Sequence, residues 1–153
     1  MTEQIPFDPD RFRWTGVEER IYKADSPGAR GMGFKAIRRH LLATGDAIDA
    51  GYDLRYFELE PGGYSSLEKH HHTHFVVALR GTGRALVGDR VFDLHPYDAL
   101  HVAPLTPHRW INESRGPFGF LCPVDHQRDR PRPLDEQEWR GLRANPVTAP
   151  YVF

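Results

Sequence analysis

The segment Glu68-Lys69-His70-His71-His72-Thr73-His74 puts four imidazoles and a carboxylate within seven residues. Neutral imidazole nitrogen and carboxylate oxygen are good ligands for Mn, Fe, Co, Ni, Cu and Zn. In an extended strand alternate side chains share a face, so Glu68 and His70 point the same way. A turn near His71–Thr73 that re-enters on a neighbouring strand would aim His74 at the same interior point. His108 follows the proline-bounded corner Ala103-Pro104-Leu105-Thr106-Pro107, which can bring it to a fourth position. Glu68, His70, His74 and His108 are therefore the candidate metal ligands. His72 shares the ligand face of a straight strand and is the alternative to Glu68, whereas His71 points away and is expected to be exposed.

Other residues could act on a bound molecule. Arg38 and Arg55 sit mid-strand between apolar neighbours. Inside a barrel they would grip a carboxylate or phosphate; outside it they would face solvent. Tyr56 joins them as a candidate substrate contact, with a core or rim role as the plainer reading. Tyr64 and Cys122 are the catalytic candidates. Cys122 lies in Phe118-Gly119-Phe120-Leu121-Cys122 and has no cysteine to pair with. It is either a buried inert thiol or, if its side chain enters the barrel near a metal, a nucleophilic or redox group. His101, between Leu100 and Val102, is expected to be partly buried and hydrogen-bonded rather than a ligand.

These residues must be held by strands. Lys35–Leu42 and Tyr52–Leu59 show near-alternating polarity. Pro61-Gly62-Gly63 reads as a turn, Tyr64–His70 as the next strand and His74–Leu79 as another. Gly81-Thr82-Gly83 and Gly88-Asp89 read as tight turns around Arg84–Val87. Val91–Leu94, Ala99–Val102, His108–Ile111 and Phe118–Val124 complete the set. Short strands that recur with turn residues between them predict a sandwich or barrel. Pro6, Pro9 and Pro27 keep residues 1–30 out of long helix, leaving an extended arm whose Phe7, Phe12, Trp14 and Tyr22 could pack on the barrel or on a partner. Asp135 with Glu138 resembles a capping box, which predicts one short helix over 135–143.

The bulk composition sets outer bounds. The 153 residues are 39% hydrophobic and 27% charged, an ordinary globular balance. Lys and Arg number 20 against 21 Asp and Glu, so no basic excess points to nucleic acid. No apolar run approaches the ~20 residues of a membrane span. The start MTEQIPFDPDRF has neither the basic nor the apolar part of a secretory signal, and a cytoplasmic location is expected.

The histidine segment also resembles the first motif of the cupin superfamily, G-x5-H-x-H-x3-E-x6-G. Gly62, His70 and Gly81 match it, with Glu68 at the first histidine position and His74 at the glutamate position. His108 and Asn112 match the end of the second motif, where Tyr97, Ala103 and Leu105 replace its glycine, proline and glycine. The resemblance covers roughly residues 52–124. It implies an all-β fold, a double-stranded β-helix or jelly-roll barrel at 31–128. The N-terminal arm at 1–30 and a tail at 129–153 with the short helix would flank it. It also implies one divalent metal ion per chain. The carboxylate at position 68 favours the harder Mn or Fe, with Zn, Ni, Co and Cu possible by affinity, and in this register His72 lies in the turn, outside the ligand set.

Such a site suits a metal-dependent enzyme acting on a small oxygenated or anionic metabolite by oxygenase, isomerase or lyase chemistry. Trp14, the Arg55–Glu58 stretch and Gly119–Cys122 are similar to a group of small bacterial cupins that includes methylthio-xylulose-phosphate methylsulfurylases, which cleave a C–S bond. The alternatives are a non-catalytic barrel that binds a small molecule and a metal-free structural barrel. Open sheet edges and the aromatic arm predict a homodimer.

Overall fold

A computed structural model describes residues 4–22, 25–26 and 28–153. Pro27 and the first three residues of the arm lie outside the described set. The strands are β1 (Phe7–Asp8), β2 (Arg13–Trp14), β3 (Glu19–Ile21), β4 (Lys35–Ala43), β5 (Tyr52–Tyr64), β6 (His74–Arg80), β7 (Gly83–Val87), β8 (Arg90–Leu94), β9 (Ala99–Val102), β10 (His108–Ile111) and β11 (Phe118–Asp125). The α-helices are α1 (Gly45–Ile48) and α2 (Glu136–Ala144). None of the described helices is long and apolar enough to cross a membrane.

One antiparallel sheet curls on itself in the order β8-β7-β10-β5-β11-β6-β9, with β4 and then β3 added beside β5. β5 is its spine. It pairs with β11 from Leu59↔Phe118 to Tyr52↔Asp125, with β4 on its other edge, and with β10 at Tyr64. Alternation along β5 decides what enters the barrel. Phe57 and Leu59 join Ile37, Val76, Trp110, Phe118 and Phe120 in the interior cluster. A second cluster, with Leu67, Leu86, Ile111, Leu134, Leu142 and Val152, seats the C-terminal tail on the outside. Removing a side chain such as Leu142 or Leu134 from water there contributes roughly 1.5–3 kcal/mol each. The tail helix starts as its sequence predicts, with Asp135 and Glu138 closing a reciprocal capping box.

Two local expectations need correcting. Pro61-Gly62-Gly63 does not end a strand, because β5 continues through it to Tyr64. Opposite, the β4 register slips between Lys35 and Ile37, so the glycines form a bulge. Gly62 takes φ 76°, and a Cβ at Gly63 would lie 2.8 Å from the Glu60 carbonyl oxygen. Tyr64–His70 is not a strand either. Past Tyr64 the chain leaves the sheet, and only isolated bridges tie Glu68 to His108 and Lys69 to Arg132. At the glycine positions of the second motif, Tyr97 and Leu105 adopt the left-handed backbone that glycine would take freely, at φ 76° and 60°. The backbone demand of the motif persists although its glycines do not.

The arm folds back on its own barrel. Phe7 packs edge-on against Phe12 at 4.9 Å, and Trp14 packs against Tyr56 at 5.1 Å. β3 joins the main sheet against β4.

A candidate metal centre in the barrel

The barrel holds an open cavity lined by His70, His72, His74, Arg55 and Cys122. With His108, whose ring centroid is 4.8 Å from that of His70, four histidines from three parts of the chain cluster at it. His74 opens β6, His108 opens β10, and His70 and His72 come from the connection between β5 and β6. All four are buried, and each has its Nδ1 engaged. His70 Nδ1 lies 2.7 Å from the His72 carbonyl oxygen, and His108 Nδ1 lies 2.9 Å from that of Thr106. A carbonyl only accepts, so these nitrogens donate, and the neutral rings keep a lone pair on Nε2. His72 Nδ1 is 2.8 Å from Asp129 Oδ1, and His74 Nδ1 faces Cys122 Sγ at 3.3 Å. Fixing one ring nitrogen so that the other can ligate is how metal-binding histidines are oriented.

The ligand atoms form two overlapping triads, His70–His72–His74 and Glu68–His70–His108, each with its atoms within 4.8 Å of one another. His70 belongs to both. The Nε2 atoms of His70 and His74 are 2.9 Å apart. Two nitrogens bound to one ion at about 2.1 Å and at right angles would stand about 3.0 Å apart, so the pair fits adjacent positions on a metal. The electrostatics also fit. Burial, reinforced by the neighbouring imidazoles, lowers His70 to about 4. Burial likewise lowers His108 to about 4 and carries His74 well below its usual range. The rings are therefore neutral, as ligands must be.

His72, the alternative to Glu68, lies in the bend between β5 and β6 and still faces the cluster: it stacks on His70 with ring centroids 3.5 Å apart, and its ligand atom lies within 4.8 Å of those of His70 and His74. Asp129 causes this. Its carboxylate receives the N–H groups of His71 and His72 as well as the His72 ring. Burial opposes ionisation of Asp129, but those donors outweigh it and hold its carboxyl well below the usual range. Asp129 is 57 residues from His72, and nothing in the local sequence announces the contact. Glu68 also faces the cavity, and the Ser66 hydroxyl donates to its carboxylate.

The remaining candidates divide by face. Cys122 and Arg55 line the cavity. They stand opposite each other on β11 and β5, and Arg55 NH2 lies 3.3 Å from Cys122 Sγ. Burial pushes the Cys122 thiol up, and Arg55 pulls it part of the way back. Arg38 does not reach the cavity. It pairs with Glu19 at 2.6 Å and Glu60 at 3.7 Å on the outer face, and its neighbour Arg39 lines the cavity instead. Ile37, which also lines the cavity, shares the Arg39 face of the strand. Tyr56 is fully buried on the far side of β5, 2.8 Å from Glu58. Burial and that carboxylate push its phenol well up. Tyr64 packs against Phe153 at 4.9 Å, outside the cavity. His101 is exposed rather than partly buried, and it pairs with Thr73 at 2.9 Å.

A curled antiparallel barrel with a histidine cluster between its first paired strands and the strand after a proline-rich corner defines a cupin. Residues 55–124 match the profile of the cupin domain family, and the chain belongs to that family. It is 35% identical over 149 residues to the 1-methylthio-D-xylulose 5-phosphate methylsulfurylase of Rhodospirillum rubrum, covering 96% of this chain and 92% of that protein. Among solved structures it is similar to a cupin-2 domain from Rhodospirillum rubrum, at 33% identity and TM-score 0.80 over 97% of this chain and 95% of that one. It is also similar to a cupin 2 conserved barrel protein from Rhodopseudomonas palustris, at 32% identity and TM-score 0.85 over 98% and 99%. The histidine-rich site of this cupin could hold a metal ion.

Proposed function

We propose that this cupin is a metal-dependent enzyme that removes the methylthio group from a 1-methylthio ketose 5-phosphate. The observation that carries the reading is the Cys122 thiol, which faces the cavity 3.3 Å from His74. The 35% identity to the methylsulfurylase supports it. A divalent ion held by His70, His74, His108 and Glu68 or His72 would supply positive charge beside the substrate carbonyl. The carboxylate of Glu68 in that set favours Mn or Fe.

Cys122 supplies the nucleophile. Its sulfur attacks the methylthio sulfur, an S–S bond forms and the C1–S bond breaks. The electron pair passes to C1 with its charge shared by the adjacent carbonyl oxygen, and the proton lost from Cys122 ends on C1. A small-molecule thiol then attacks the methyl-bearing sulfur, which releases a methyl disulfide and restores Cys122. Arg55, on Cys122 at 3.3 Å, stabilises the thiolate at both stages.

The test is incubation of metal-loaded protein with the methylthio ketose phosphate and a thiol, with products followed by mass spectrometry. Wild type should form the 1-deoxy ketose phosphate and the mixed methyl disulfide. Cys122→Ser should keep its metal and lose turnover. Full turnover in Cys122→Ser would overturn the nucleophile, and no C–S cleavage by wild type loaded with Mn or Fe would overturn the reaction.

A further inference from the structure

The same cavity carries an unbalanced charge on the wall beyond Cys122. Arg55 is 5% exposed. Its Nε is buried with no hydrogen-bond partner, and among the described residues no carboxylate pairs with it. The Arg39 side chain makes no ion pair or hydrogen bond among the described residues, although it lines the same cavity. The two are placed together by register. Arg39 stands opposite Phe57, and Arg55 lies two residues along β5 on that face. Such diagonal neighbours are about 7–8 Å apart at the backbone, within reach of long side chains. Each guanidinium lies over an aromatic ring, Arg55 over Phe57 at 5.0 Å and Arg39 over Tyr22 at 5.5 Å. The rings hold the planar forks without neutralising them.

Other arginines of the chain are satisfied. Arg38 has Glu19, Arg80 has Glu58 at 2.8 Å, and Arg128, which also lines this cavity, has Asp53 at 2.8 Å. The fully buried Arg109 donates instead to the carbonyls of Gly31, Ser65, Tyr151 and Phe153. Arg55 is buried and Arg39 half-buried. A buried charge without a countercharge is costly, and a ligand that balances the pair explains the arrangement. Two fixed positive charges match a phosphate dianion, whereas a carboxylate would leave one unbalanced. The planar forks suit its oxygens.

We propose that Arg39 and Arg55 form the phosphate subsite of this cavity and hold the phosphate of a phosphorylated substrate. This inference rests on the reading of the cavity as a ketose phosphate site. Its test is separable from the test of the reaction, because phosphate binding is measured without turnover.

Calorimetric titration of metal-loaded protein with inorganic phosphate should show one site per chain. Arg39→Gln and Arg55→Met should each weaken it by at least about 10-fold, the loss expected for a charge-assisted hydrogen bond. Arg38→Gln, on the outer face, should leave it unchanged, and metal content should be the same in all variants. In turnover, Arg39→Gln should raise KM with kcat little changed. If Arg55→Met does not fold, Arg39→Gln decides, since the Arg39 side chain is half-buried and its one contact of note is with the Tyr22 ring. The subsite is overturned if wild type does not bind phosphate, if both cavity variants bind it as wild type does, or if acetate binds as tightly as phosphate. Phosphate binding lost in Arg39→Gln alongside a wild type that cleaves no C–S bond would keep the subsite and refute the reaction. Cleavage by wild type with KM unmoved in Arg39→Gln would do the reverse.

Discussion

Lowering the pH from 7 to 5 should destabilise the metal-free protein sharply, and the cause is the histidine cluster. In the unfolded chain an imidazole titrates near 6.5, whereas burial holds His70 and His108 at about 4 and His74 lower still. Between those values the unfolded state binds more protons than the native one, so stability falls as pH falls. At pH 5 each ring costs a little under about 2 kcal/mol relative to pH 7, from about 1.4 kcal/mol per pH unit, and the three together cost about 5–6 kcal/mol. For a chain of this size 1 kcal/mol moves Tm by about 2–4 °C, so the metal-free protein should melt about 10–20 °C lower at pH 5. His126 works in the opposite sense. Hydrogen bonding to Asp53, then the charge of Asp46, raises it, so its contribution is present at low pH and is lost as pH rises through its folded value. It lies at the surface and offsets only part of the fall. Asp53, held at about 2 despite burial by the Gly45 N–H, His126 and Arg128, contributes above about 4 and is silent in this window. Calorimetric melts of chelated protein test the argument, with His70→Gln and His108→Gln each expected to flatten the profile. A Tm that moves less than about 3 °C between pH 7 and 5 would refute the reasoning that the rings are buried and neutral.

Glu68→Gln and His72→Ala should each weaken metal binding by at least about 10-fold, because each belongs to one of the two triads; metal titrations that find either variant at wild-type affinity remove that residue from the set. Leu105→Gly should raise Tm by a few degrees, since it relieves a left-handed backbone that costs roughly 1–2 kcal/mol in a residue with a Cβ; a lowered Tm would show that the Leu105 side chain matters more than its φ. Gly119→Ala should destabilise by about 1–3 kcal/mol, the scale of core overpacking, because the new Cβ collides with the Tyr56 hydroxyl; denaturant melts that match wild type would refute it. A homodimer is expected by light scattering, joined through the open edges at β8 and β9 and not through the arm, whose aromatics already pack on their own barrel; a monomer of 17.6 kDa at micromolar concentration sinks it.

Much of this protein was legible in its sequence. Period-two alternation marked most of the strands, because a pleated strand forces neighbours to opposite faces. The Asp135–Glu138 capping box marked α2, because its hydrogen bonds are local. The spacing of Glu68, His70, His74 and His108 singled out residues whose ligand atoms fall in the two overlapping triads. Other features needed the tertiary structure. Alternation says that Arg38 and Arg39 face opposite ways, but which of them enters the barrel depends on how the sheet curls. Pro61-Gly62-Gly63 carries the same residues whether it turns the chain or bulges a continuing strand, and the register against β4 chose the bulge. Tyr56 lies in the same strand as Arg55 yet points under the arm, which is a matter of what packs outside. The sequence offered His72 as an alternative ligand, but the partner that orients its ring, Asp129, lies far along the chain. Local signals fix what each residue can do with its near neighbours; the pairing of distant segments, which has no local trace, decided which side chains share the cavity.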